Sequence, residues 1–115
     1  MRMRTTIFGC LLALAIPLTA SADDAAGKAV YDKNCASCHG DDGKGKEAKA
    51  KVLKIDPAIL NLGRDEVANQ TSDEKKKITA EGKNKMPAYG KKLAPADIDA
   101  VNTYTLGLIK TIRGK

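Results

Sequence analysis

Large aromatic side chains are almost missing from this 115-residue chain, which has no tryptophan, one phenylalanine and three tyrosines. Histidine occurs once, at His39, and cysteine three times, at Cys10, Cys35 and Cys38. No aromatic and basic residues interleave, so the stacking groove of a single-strand nucleic-acid binder is excluded. No repeat, low-complexity tract or credible strand pattern is present. A chain this short is one domain at most and buries too little surface to be comfortably stable unaided. The shortage of aromatics deepens that deficit and fits a core completed by an apolar cofactor, although small helical domains can manage with aliphatics.

The N-terminus has the anatomy of an export signal. Arg2 and Arg4 supply a positive start, Ile7 to Leu18 an apolar stretch of twelve residues, and Ala20-Ser21-Ala22 a small-x-small cleavage pattern. Twelve apolar residues fall short of the ~20 needed to cross a bilayer. The expectation is a signal peptide over residues 1–22, removed on export to the periplasm; a leader retained as an anchor is the alternative. Cys10 precedes the bulk of the apolar run, the wrong order for lipidation, and goes with the leader. The remaining domain, residues 23–115, keeps one histidine, one methionine (Met86) and the pair Cys35 and Cys38. Setting Arg2 and Arg4 aside from the 20 basic residues leaves 18 against 14 acidic ones, a net of +4. Such a mildly basic balance does not by itself indicate nucleic acid.

The chain is organised around Cys35-Ala36-Ser37-Cys38-His39. Two cysteines three positions apart share one side of a helical turn, so both thiols reach the two vinyl groups on one edge of a haem. The histidine follows directly and is swung beneath the iron as proximal ligand. Zinc would require four ligands, and outside the leader the chain offers three cysteine or histidine side chains. A thioredoxin-like dithiol would require a βαβ setting, whereas these flanks read as helix. Chance is the remaining competitor, and the downstream sequence argues against it.

That downstream signal is Gly82-Lys83-Asn84-Lys85-Met86-Pro87-Ala88-Tyr89-Gly90. A thioether is a soft, uncharged donor able to fill the sixth position of a haem iron. A lone methionine is otherwise a core gap-filler, but no other methionine or histidine is available once His39 is engaged. His39 and Met86 are therefore the expected axial iron ligands.

Around these anchors the sequence reads as helices. Asp23 or Asp24 is placed to cap a first helix through Tyr31, with Gly27 marking close approach of another helix. Gly40 to Gly45 is a loop. Lys46 to Ile55 carries Ala48, Val52 and Ile55 at helical spacing, and Asp56-Pro57 ends it. Ile59, Leu60 and Leu62 suit a wall of the haem crevice or plain core equally. Thr71 and Glu74 form a capping box for a helix from Ser72 to about Glu81, with Gly82 at its exit and Lys75, Lys76 and Lys77 expected on its solvated side. Pro95 and Asp97 start a last helix whose buried face is Ile98, Val101, Thr105, Leu108 and Ile112, beside Tyr104.

Taken together, Gly27, Tyr31, the run from Cys35 to His39, Gly82, Met86-Pro87, Tyr89, Leu93, Ile98, Val101 and Tyr104 resemble the class I cytochrome c family, especially its small monohaem bacterial members. The resemblance is loose from Gly43 to Gln70. It implies an all-α cytochrome c fold of about four to five helices around one covalent haem c, with first and last helices crossing near Gly27, Tyr31 and Tyr104. It also implies an electron-transfer protein, not an enzyme, working through an exposed haem edge. Family members usually carry a proline whose carbonyl accepts the proximal imidazole proton, and Pro57 is the candidate. Ala94 departs from the Ser or Asp expected as a cap, a loss of ~1 kcal/mol at one helix end.

The function expected is that of a soluble periplasmic electron carrier exchanging electrons with redox partner proteins such as reductases or oxidases. Lys83 and Lys85, together with Lys44, Lys46, Lys91 and Lys92, are placed to steer an acidic partner, or simply to solvate the surface. Three alternatives carry different chemistry or context. They are a docked haem subunit of a larger reductase or oxidase, a ligand-binding or peroxidatic haem protein with an open sixth site, and a haem-free thiol oxidoreductase using Cys35 and Cys38.

Overall fold

The computed structural model describes Gly9 and residues 22–114, and no strand occurs among them. The expected leader lies outside the described residues, Gly9 and Ala22 apart, and so does Cys10. The order is α1 (Ala22–Asn34), α2 (Ala36–His39), α3 (Glu47–Leu53), a 3-10 turn (Pro57–Leu60), α4 (Asp65–Ala68), α5 (Ser72–Glu81) and α6 (Pro95–Ile112). α2 and α4 are single turns of 4 residues each. The other four α-helices carry the architecture, as an all-α fold of four to five helices requires.

The crossing of α1 over α6 is the largest helix–helix contact. It is close because Gly27 has no side chain: a Cβ there would stand 2.9 Å from the Cβ of Tyr104 and closer still to the Ala100 carbonyl oxygen. One turn on, Tyr31 is fully buried. Its ring tilts 54° against that of Tyr104 at a centroid separation of 5.2 Å, a favourable edge-inclined aromatic pair. Tyr31, Ala36 and Val101 form the core cluster, with Val30, Cys35, Leu62, Tyr104 and Leu108 packed on it.

The helix boundaries follow local chemistry. Thr71 and Glu74 satisfy each other's backbone N–H groups at 3.1 and 2.7 Å, the reciprocal box expected for α5. α6 begins with Pro95 in its first turn behind Ala94, whose side chain makes no cap. Lys76 pairs with Asp99 at 3.1 Å, tying α5 to α6.

Several expectations are corrected. α1 already includes Asp23 and Asp24 in its first described turn, so neither stands ahead of it as a cap. On α3 the buried residue is Ala50, while Ala48 is exposed and Val52 is 74% exposed. The 7-residue helix carries lysines at positions 49 and 51 and lays Ala50 between them against the body. Lys75 is buried, not solvated, and its ammonium donates to the Gln70 carbonyl at 2.5 Å. The long aliphatic stem is covered while the charge finds an oxygen, the usual way a lysine is buried. Ile59 is half exposed, whereas Leu60 beside it is buried.

Gly27→Val should destabilise the fold by about 2 kcal/mol through overpacking of the crossing. Urea unfolding would record this as a lower midpoint with an unchanged slope.

Candidate functional site

The site grows from the end of α1. The Cys35 amide donates to the Tyr31 carbonyl at 2.8 Å, and the chain turns directly into α2 with His39 N–H donating to Cys35 O at 3.0 Å. Cys35, Cys38 and His39 thus ride on consecutive turns of helix, as their spacing predicts. Both thiols are free and half-buried. The Tyr31 hydroxyl donates to the Gly40 carbonyl at 2.5 Å, which pins the residue after His39 to the core. Gly45 N–H donates to His39 O at 2.6 Å and Lys46 N–H to Cys38 O at 3.0 Å, so the glycine loop folds back over the motif.

His39 has its Nδ1 2.8 Å from the Leu60 carbonyl oxygen. A carbonyl only accepts, so Nδ1 carries the proton and Nε2 keeps a free lone pair. Burial lowers the pKa of His39 below its ordinary value, the Leu60 bond opposes that shift, and Arg64 adds to the lowering. The imidazole is therefore neutral and fixed in the tautomer that a metal ligand needs. Pro57, the candidate for this acceptor, is corrected to Leu60: the 3-10 turn opens at Pro57 and closes at Leu60. That turn is held by Asp56, whose carboxylate accepts from Ala58 N–H at 2.9 Å.

The Cys35 thiol does not resemble the nucleophile of a redox dithiol. Burial, then the neighbouring Cys38, pushes the Cys35 thiol up to about 11. A reactive dithiol needs the opposite shift. Among the described residues no group of three or more His, Cys, Asp or Glu side chains gathers as an ion-binding cluster, so a zinc site has no ligand set.

Met86 lies in the connection from α5 to α6. Gly82 leaves α5 at φ 77°, where a Cβ would come within 2.7 Å of the Met86 carbonyl oxygen. Asn84 also has positive φ, at 53°. This tight reversal lets Lys83 and Met86 exchange backbone hydrogen bonds at 3.1 and 2.9 Å. The half-buried Met86 is thus carried on a closed turn with Lys83 and Lys85 exposed beside it. Tyr89 N–H donates to Thr79 O and Gly90 N–H to Ala80 O, both at 3.0 Å, returning the loop onto α5. The Tyr89 hydroxyl donates to the Asn34 carbonyl at 3.0 Å, directly ahead of Cys35. Burial, then Cys35 and Cys38, raises its phenol above the ordinary value.

The residues present suit a haem. Two free thiols beside an imidazole with a free Nε2 are the donor set for covalent attachment and proximal ligation. Arg64 offers an independent sign. Its Nη1 donates to the Ile59 carbonyl, while its Nε is buried without a hydrogen-bond partner and has only Glu66 at 3.9 Å as an ion pair. An anionic group such as a haem propionate would satisfy it.

On sequence, Leu60 is expected as crevice wall or core and not as the acceptor for His39, and neither Arg64 nor the Tyr89–Asn34 bond is expected. Leu60 acts through its backbone and leaves no signature. Arg64 had a faint one: beyond the leader, Arg64 and Arg113 are the arginines of a lysine-rich chain, and arginine suits buried, multi-bond roles.

No helix among the described residues is long and apolar enough to cross a membrane. A search of curated proteins finds no match to the chain. A family model described as cytochrome c oxidase, cbb3-type, subunit III matches residues 22–104, which span α1, the motif, the methionine turn and most of α6. With that match over most of its length, and with an all-α fold whose terminal helices cross, the chain belongs to this family of electron-transferring, c-type haem cytochromes.

Proposed function

We propose that this protein is a monohaem c-type cytochrome exported to the periplasm, where it carries electrons between redox partner proteins. Cys35 and Cys38 would hold one haem covalently, with His39 and Met86 as the ligands to its iron. The observation that carries this reading is the bond from His39 Nδ1 to Leu60 O, which leaves Nε2 free beside two free thiols.

When bound, the haem supplies an iron cycling between Fe(II) and Fe(III). The protein's part is to hold and tune it. Leu60 draws on the His39 Nδ1 proton, making the imidazole more basic and fixing its plane. The Met86 thioether and the apolar surroundings favour the reduced, less charged state. Both ligands sit on hydrogen-bonded turns, so little rearrangement accompanies a change of oxidation state. Lys83, Lys85, Lys44, Lys46, Lys91 and Lys92 are all exposed. Their positive charges draw an acidic partner at long range.

A docked subunit of a larger oxidase performs the same chemistry, and the description of the matching family favours it. The two differ in what is recovered from cells: a carrier is released with the periplasmic fraction, whereas a docked subunit copurifies with a membrane complex.

The visible spectrum of Met86→Ala beside wild type tests the ligand set. Wild type should show a low-spin six-coordinate spectrum and a pink colour that survives acid-acetone extraction. Met86→Ala should keep the colour, lose the low-spin signature and bind CO or cyanide readily at neutral pH. An unchanged spectrum would remove Met86 from the iron.

The steering role of the lysines predicts that the electron-transfer rate with the partner falls by at least about tenfold from low to physiological salt. Stopped-flow mixing at graded ionic strength measures this, and a flat dependence would reduce the lysines to solvating groups.

A further inference from the structure

We infer that Tyr89 is a positioning residue for the distal ligand, its hydroxyl latching the methionine turn onto the segment that carries the haem. This rests on the assignment of Met86 as a ligand made above and goes beyond it. The turn bearing Met86 is anchored to α5 by backbone bonds from Tyr89 and Gly90 to Thr79 and Ala80. Those bonds fix the turn to its own helix but not to α1 and α2, where Cys35, Cys38 and His39 reside. The Tyr89 hydroxyl makes that second connection. It donates at 3.0 Å to the Asn34 carbonyl, across a sequence separation of 55 residues.

The acceptor is well chosen. Asn34 ends α1, so its carbonyl has lost its partner in the next helical turn. Cys35 follows at once, which sets the latch one residue before the first attachment point and three residues after Met86. Asn34 is itself held, its side-chain amide donating to the Val30 carbonyl at 3.0 Å. The Tyr89 ring is half-buried, and Lys92 Nζ lies 5.9 Å from its centroid, so the ring stays seated when the hydroxyl is removed. This bond, unlike the backbone bonds to α5, ties the Met86 turn to the segment that carries Cys35.

Tyr89→Phe in the holoprotein tests the latch. Ferric protein is titrated with imidazole, which competes with Met86 for the sixth position, and displacement is followed in the visible spectrum. Loss of one net hydrogen bond should raise the apparent affinity for imidazole about fivefold. Thr71→Ala provides the comparison, since it removes the capping box of α5 and lowers global stability by a similar amount without touching the latch. It should leave the imidazole affinity at the wild-type value while lowering the urea midpoint. Equal affinities in Tyr89→Phe and wild type would overturn the latch, and so would an equal rise in Thr71→Ala. Failure of the underlying ligand assignment looks different, because Met86→Ala would then share the wild-type spectrum and imidazole affinity.

Discussion

Tyr31 is the point on which the architecture and the site both lean. Among the described residues it is the largest side chain with no exposure to solvent. Its ring fills the crossing of α1 and α6 against Tyr104, and its hydroxyl reaches the Gly40 carbonyl just beyond His39. One residue therefore binds the terminal helices to each other and to the haem motif. In a chain so poor in aromatics, that leaves the crossing dependent on a single ring pair and on the absence of a side chain at Gly27. Burial of about 150–250 Å² per aromatic ring is typical, and no second aromatic cluster exists among the described residues to share the task.

What was legible in the sequence was whatever acts through side-chain identity at fixed spacing. The pair Cys35 and Cys38 with His39, the box of Thr71 and Glu74, Pro95 at the start of α6 and the glycine at the crossing all announce a geometry that few other residues can supply. Their local structures follow as expected. The middle of the chain was less legible, because α3 and the 3-10 turn are set by contacts with the rest of the molecule. Val52 fits a helical apolar stripe with Ala48 and Ile55, yet it faces outward. Helical periodicity locates a face only when the opposite face is clearly polar, and lysines alternating with small residues leave that choice to tertiary contacts. Lys75 was misplaced for a related reason: a lysine is half hydrocarbon, and a nearby carbonyl decides whether the stem is covered.

The site itself divides along the same line. Its donors were legible and its acceptors were not. His39 donates to Leu60, Tyr31 to Gly40 and Tyr89 to Asn34, and in each case the oxygen belongs to the backbone. A backbone acceptor imposes no residue type, so the leucine at position 60 carries no mark of holding an imidazole. The expected proline, Pro57, opens the turn whose last carbonyl does the work instead. Its contribution is conformational.

This pattern has a physical consequence for a redox site. A carboxylate beside His39 would serve equally well as acceptor, but it would add a titratable negative charge next to the ring and draw the imidazole towards imidazolate. A carbonyl orients the ring with a fixed dipole and no proton exchange. Burial, helped by Arg64, then lowers the pKa of His39 and favours its neutral form without a carboxylate partner. The same economy of charge holds at the other two contacts, where phenols meet carbonyls and no ion is buried. Lys83 and Lys85 stand at the surface, while Arg64 is partly exposed, with its Nε buried and lacking a hydrogen-bond partner. Keeping uncharged, backbone-held contacts beneath a charged exterior lets the surface charge vary without disturbing the surroundings of His39.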